Sequence, residues 1–269
     1  MKFAKKLMVE PGSRVRLADC DPGATHGFED KDQGRQALAR NVEKLADLQY
    51  RLYAENRRSV LVIFQAMDAG GKDGVIRRVM TGLNPQGCRV IAFKAPNSEE
   101  LARDFLWRVH HVVPRRGQFG IFNRSHYEDV LAVRVKNLAP KKVWSLRYDH
   151  INAFERLLAD NGTKILKFFL LISREEQYAR LRKRLDDPEK HWKFDPADIE
   201  DRKRWDDYVA AYEEAFRRCS TPCAPWYVIP ANHKWYRDAA VSQILVETLT
   251  EMRMKFPQPA FDVSKIVLE

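Results

Sequence analysis

The chain of 269 residues carries 47 Lys and Arg against 37 Asp and Glu, a formal net charge of +10, with 45% hydrophobic and 31% charged residues. That balance supports a core beneath a well-charged surface and excludes a disordered chain, a collagen or a coiled coil. No stretch nears the roughly 18 consecutive apolar residues of a membrane-spanning helix, and the richest, 165–172, is interrupted by Lys167.

The first residues carry lysines but reach Glu10-Pro11-Gly12 without an apolar run or a small-residue cleavage site, so a cytoplasmic address is expected. Residues 1–34, punctuated by Gly, Asp and Pro, read as an irregular segment. Residues 35–269 read as one domain, since no repeat, low-complexity tract or long linker divides them. Leu38, Val42, Leu45, Leu48 and Leu52 recur at helical spacing and predict an amphipathic helix to about Asn56. The apolar, β-branched run 59–65 (SVLVIFQ) lacks polar alternation and predicts a central parallel strand buried on both faces. A glycine-rich turn at 66–74 leads into a helix through Met80, a strand at 89–93, and a helix capped at Ser98 with Glu100 behind it. Further strands are expected at 119–123, 165–172 and 226–229, and helices at 143–159, 174–185, 196–218 and 236–254. Five strands alternating with helices predict a three-layer α/β sandwich.

The four cysteines are irregularly spaced, and the C-x-x-x-C pair Cys219 and Cys223 has no second pair to complete a zinc site, so reduced structural thiols are expected. Residues 66–136 hold twelve Lys and Arg against seven Asp and Glu, so half of the excess charge sits in about a quarter of the chain. Such a field draws polyanions, whether nucleic acid, nucleotides or phosphate chains, and it is also what a solvated face carries.

The turn after the first strand, Ala66-Met67-Asp68-Ala69-Gly70-Gly71-Lys72-Asp73-Gly74, is a variant of the phosphate-loop pattern G-x-x-x-x-G-K-[ST]. Ala69, Gly70, Gly71, Lys72, Asp73 and Gly74 are its phosphate-binding candidates, because glycines let backbone amides approach phosphate and the lysine adds an ammonium. Asp73 stands where a metal-binding hydroxyl is usual, so another oxygen must hold magnesium, and Asp68 is the first candidate. After the third strand, FNRSHYED sets the neutral amide of Asn123 where a metal-orienting carboxylate is common, with Arg124 and later Arg134 suited to phosphate oxygens. The basic helix end and aromatic loop over 180–194 have the makeup of a lid. His126, His150, His191 and His233 read as structural or surface histidines, since none has a partner apparent in the sequence.

Taken together, MDAGGKDG, FNRSHYEDV, RLDDPEKHWKF and APWYVIPANHKWYRD occur in an order and at a spacing that resemble the polyphosphate kinase 2 family from about Val9 to the C-terminus. Within it the chain is most similar to class III, which phosphorylates both AMP and ADP; Asn123 in the second motif points there. The resemblance implies a thymidylate-kinase-like P-loop fold with a five-stranded parallel sheet and a helical lid around 180–205, magnesium as cofactor and a homo-oligomer. It implies Asp68, Lys72 and Arg124 as catalytic residues, Arg134, Arg184 and Lys193 as added phosphate ligands, and Asp68 and Asn123 at the metal. The implied reaction moves the terminal phosphoryl group of inorganic polyphosphate to AMP and ADP, giving ADP and ATP, with no membrane or nucleic-acid partner. An ATP-dependent small-molecule kinase on the same fold is the alternative. A nucleic-acid-binding protein is more remote, since no helix-turn-helix, RNP-like or finger pattern is present.

Overall fold

The buried run forms the middle of the sheet in a computed structural model that describes residues 3–267. β1 (Ser59–Ala66) is buried at all eight positions, because it pairs in parallel with β3 (Phe119–Asn123) on one side and β4 (Thr163–Leu171) on the other. β2 (Cys88–Ala92) adds to β3, and β5 (Trp226–Pro230) adds to β4. The order β2-β3-β1-β4-β5 is parallel throughout. A parallel sheet needs helical crossovers, which cover both of its faces.

Alternate residues of β1 feed the two halves of the core. Val60, Val62 and Phe64 meet α1 (Lys31–Glu55), α2 (Lys72–Val79) and α7 (Lys234–Glu251) through Leu45, Leu52, Val75 and Ile244. Leu61 and Ile63 meet Phe154 and Leu158 of α3 (Lys141–Asp160). Two further helices, α4 (Arg174–Leu185) and α5 (Ala197–Lys203), project from the end of β4, and α6 (Trp205–Cys219) returns to the sheet through Tyr212 and Phe216. The three-layer α/β sandwich is therefore as expected.

Five local expectations are corrected. The N-terminal segment is not irregular throughout: Phe3–Leu7 is a helix whose first amides, Phe3 N and Ala4 N, donate to the Glu247 carboxylate, and Met8 bridges Tyr227. This segment lies against β5 and blunts an exposed sheet edge. α1 begins at Lys31 behind the Asp30 cap, inside the stretch expected to be irregular. Gly34, which resembles punctuation in the sequence, is instead the contact point for Trp235, whose ring leaves no room for a β-carbon. The cap at 98 is Asn97, in a reciprocal pair with Glu100, and its helix is the single turn Ser98–Leu101. The helix expected over 196–218 is broken at Arg204, whose guanidinium donates to Val135 O at 2.7 Å.

Leu52 is fully buried where α1 approaches the start of β1, at the end of the sheet remote from the glycine-rich turn. Leu52→Ala is expected to lower unfolding free energy by about 3 kcal/mol through the cavity it leaves, while turnover per folded molecule stays near that of the parent. Denaturant titration alongside active-site-normalised rates measures both.

Candidate active site

The carboxyl ends of β1, β3 and β4 converge where a doubly wound sheet places its ligands. Between β1 and α2 the chain turns tightly, with Gly70 N donating to Met67 O at 3.0 Å. A β-carbon on Gly70 would lie 2.5 Å from Ala66 Cβ, so Gly70 supplies the close approach for which the first glycine of the usual pattern is absent. Gly71, at φ 100°, caps α2 in the left-handed region and leaves the amides of the first helical turn open to an anion. Lys72 folds back over the loop and donates to Ala66 O at 3.2 Å. Burial and the nearby Arg124 push its pKa down, against the pull of Asp68, Glu128 and Asp73.

Arg124 follows the last residue of β3 with φ 62°, an uncommon conformation for a non-glycine residue, while its amide donates to Phe64 O at 3.0 Å. This turn swings its side chain across to Asp68, where Nη2 donates to Oδ1 at 2.8 Å. Beside it, Asn123 Nδ2 donates to Asp73 Oδ1 at 2.6 Å, and Glu128 Oε1 accepts from Gln65 Nε2 at 2.9 Å. Asp68, Lys72, Asp73, Asn123 and Arg124 thus converge. A cleft opens next to them, lined by Asp68, Arg124, Glu128, Lys136, Tyr208 and Tyr212.

Arg134 does not join this group. Its guanidinium lies over the Trp144 ring, 5.0 Å from the centroid, because the short helix Ala132–Val135 turns it toward α3. Arg184 and Lys193 also spend their contacts elsewhere: Arg184 Nη1 reaches Asp198 at 3.2 Å and Lys193 O at 3.3 Å, and the Lys193 ammonium lies over Trp192. Both hold the lid together internally in this arrangement. The lid is joined to the body by Lys136 and Asp201, 2.8 Å apart.

Residues that sequence reasoning passes over complete the loop's surroundings. Arg180 of α4 donates through Nη1 to Ala69 O and Gly70 O, at 3.1 and 3.0 Å, and through Nη2 to Ala231 O and Asn232 O. Gln177 donates to Asp68 O at 3.0 Å and accepts from Arg202 of the lid. Arg237, buried and paired with Asp238, occupies the space where Gly71 would carry a β-carbon, and Arg78 pairs with the same aspartate. Burial and the charges of Arg180, Lys183 and Arg237 push the Lys234 pKa down. One flank of the loop is therefore crowded with cations. The sole hint in the sequence is the basic makeup of 180–184 and the motif ending WYRD, since neither reveals a backbone partner distant in the chain.

A glycine loop with an inward lysine at the end of a central parallel strand, flanked by converging arginines and a helical lid, defines a P-loop phosphotransferase. Residues 28–257 match the family described as Polyphosphate kinase 2. The chain is 58% identical to the AMP/ADP-polyphosphate phosphotransferase of Meiothermus ruber, over 98% of its own length and all of the relative's. It is 46% identical to the ADP-polyphosphate phosphotransferase of Rhodopseudomonas palustris, covering 94% of this chain and 92% of that one. The crystal structure of polyphosphate kinase 2 from Arthrobacter aurescens TC1 superposes with a TM-score of 0.94 at 45% identity, covering 98% of this chain and 94% of that one. The chain belongs to the polyphosphate kinase 2 family.

The lid carries a titratable contact. Burial, and then the negative charge of Asp68, push Asp198 up to about 6, only partly countered by Arg184. A carboxyl whose folded pKa exceeds its unfolded value stabilises the docked lid below the unfolded pKa, and that contribution is lost as pH rises through about 6. Protection of the amides over 188–203, after correction for the intrinsic pH dependence of exchange, is accordingly expected to be greater below pH 6 than at neutral pH, and Asp198→Asn to flatten that difference.

Proposed function

We propose that this chain transfers the terminal phosphoryl group of inorganic polyphosphate to AMP and then to ADP, yielding ADP and ATP. The observation that carries the reading is the pairing of Lys72 in the glycine loop with Arg124 at the end of β3, bounded on the far side by the cationic flank of Arg78, Arg180, Lys183, Lys234 and Arg237. The names of the relatives supply the donor and acceptors.

A phosphate oxygen of the acceptor nucleotide is already anionic at neutral pH. Its attack on the terminal phosphorus of the donor forms one P–O bond while the bridging P–O bond breaks, and the shortened polyphosphate leaves with the electron pair. No general base is needed, so the reaction depends on alignment and on charge neutralisation. Lys72 and Arg124 carry the positive charge toward the phosphoryl group in transfer. The loop amides ahead of α2 hold donor oxygens, and the cationic flank takes the remainder of the chain. The cleft of Glu128, Lys136, Tyr208 and Tyr212 is read as the acceptor side, closed by the lid to exclude water.

The donor set suits magnesium, which takes one or two carboxylates and completes its shell with substrate phosphates and water. Among the described residues no three carboxylate, imidazole or thiol side chains gather into a metal cage. Asp68 and Asp73 offer hard oxygens on either side of Lys72, and Asn123 orients Asp73 through its amide. Asp68, with Asp73 beside it, would hold the ion; when bound, it neutralises charge on the phosphates. Asn123, expected as a ligand itself, is read as a support for Asp73. A homo-oligomer belongs to the same reading, supported by Val143, Leu146 and Leu157 standing exposed along α3. Among the described residues no helix is long and apolar enough to cross a membrane.

The test offers AMP and ADP, with magnesium, either polyphosphate or purified ATP as donor. ADP and ATP formed from polyphosphate are expected; an enzyme that uses ATP on another acceptor and leaves AMP untouched with polyphosphate would overturn the donor assignment. Lys72→Ala and Arg124→Ala are each expected to lower the rate at least about a hundredfold with little loss of stability.

The cationic flank predicts a salt signature. Raising salt should raise the KM for polyphosphate more steeply than that for AMP, by release of counterions from a dense polyanion. Lys234→Ala should raise the polyphosphate KM several-fold, by about 1 kcal/mol of lost charge contact, and make its salt slope shallower. Initial rates over a salt series at constant magnesium provide both slopes.

A further inference from the structure

β4 carries a charge in the middle of the core. Lys167 is fully buried, with Ile63 of β1 and Trp226 of β5 as its register partners. Its ammonium has three protons and finds three acceptors: Glu155 Oε2 at 2.5 Å, Cys219 O at 2.7 Å and the Tyr127 hydroxyl at 2.8 Å. The Tyr127 hydroxyl donates in turn to Glu155 Oε1 at 2.9 Å, and His126 Nε2 stands 3.3 Å from that same oxygen. Burial and the Lys167 charge keep His126 pushed toward its neutral form, against the pull of Glu155. All four side chains are buried, and the phosphotransfer chemistry uses none of them.

The network grips one short segment. His126 and Tyr127 belong to the single turn His126–Asp129, which follows β3 directly after Arg124 and Ser125. Ser125 caps this turn by accepting from Tyr127 N. Within six residues the chain alternates between two destinations. Asn123, Arg124 and Glu128 face Asp73, Asp68 and Gln65 at the site, whereas His126 and Tyr127 enter the core. The Tyr127 ring is set edge-on against Trp226, with centroids 4.7 Å apart, and His126 packs on Phe154. Arg124 holds a left-handed backbone conformation that its local sequence does not favour, so a firm anchor is needed close behind it.

We propose that Lys167, Glu155, His126 and Tyr127 are positioning residues for the transfer reaction: they clamp the turn after β3 from inside the core and thereby fix where Arg124 and Glu128 stand over the glycine loop. Transition-state stabilisation is sensitive to displacements near an ångström, and loss of one hydroxyl is enough to loosen the clamp while leaving the ring packing intact. The proposal rests on the phosphotransfer reading, and its test starts from a wild type that turns over. An inactive wild type would count against that reading, whereas the outcomes below count for or against the clamp.

The experiment is a double-mutant cycle on the full chain, with Tyr127→Phe made alone and in an Arg124→Ala background. In the wild-type background, kcat is expected to fall about tenfold, with KM for AMP and for polyphosphate within about twofold. In the Arg124→Ala background the same change is expected to cost kcat less than about twofold, because the cation it positions is gone and only Glu128 remains to be displaced. A purely structural tyrosine would shift the melting temperature and leave kcat per folded molecule unchanged. Either that result, or an equal loss of kcat in both backgrounds, would overturn the proposal. Should the tyrosine variant fold poorly, His126→Asn in the same cycle decides the question by the same criteria.

Discussion

A phosphate loop works only if its amides point inward, and that requires its carbonyls to be held outward by something other than the phosphate. Arg180 meets this requirement. Its guanidinium takes Ala69 O and Gly70 O with one nitrogen and Ala231 O and Asn232 O with the other, so the loop is fastened to the chain leaving β5. Glu176 holds the remaining Nε donor at 2.7 Å, which fixes the plane of the fork. A lysine could not span four carbonyls in this way. Because Arg180 lies on α4, the helix that leads into the lid, the shape of the loop and the placement of the lid share one anchor.

The second constraint is electrostatic. Lys72, Lys234 and Arg237 are all pushed toward lower pKa, in each case first by burial and in part by cationic neighbours. Positive charge has been gathered beyond what Asp68, Asp73 and Asp238 balance locally, and an assembly of this kind is relieved by a polyanion. The carboxylates are not wasted in such a field. Asp68 aims Arg124, Asp238 ties Arg78 to Arg237, and Asp73 is steadied by Asn123. Each acid sets the direction of a base or stands ready at the loop.

Much of this is legible in the sequence, and the reasons differ by feature. The run SVLVIFQ announces β1 because a strand buried on both faces has no polar alternation, and Gly71-Lys72 behind it declares the loop. Asp68, Asn123 and Arg124 follow from their place at strand ends. Arg134 stands apart from the loop because its nearness in sequence to Arg124 says nothing about direction: a turn and the start of a short helix lie between them, and the side chain leaves toward Trp144. Arg180 and Arg237 escape notice because their partners are a distant backbone and a glycine's empty side. Gly34 deceives in the opposite sense, since a glycine that admits an indole reads the same as one that ends a helix.

Lys167 shows why the apolar pattern and its single exception must be read together. In the sequence it only breaks a run too short to span a membrane; in the fold it lies midway along β4, between β1 and β5, and is fully buried. A buried ion pair is weak evidence for stability, because desolvation offsets most of the attraction and a well-packed apolar replacement is often as stable. What an apolar cluster lacks is direction. Three acceptors arranged around one ammonium admit a narrow set of geometries, and one of those acceptors is the hydroxyl of the turn that follows Arg124. The sheet thus supplies two kinds of order at its carboxyl edge. The β1 loop is shaped by glycines and held from outside by Arg180, whereas the β3 turn is held from inside by Lys167 and Glu155. The charges that meet a phosphoryl group, Lys72 from one and Arg124 from the other, are thereby fixed with respect to a common frame before any substrate arrives.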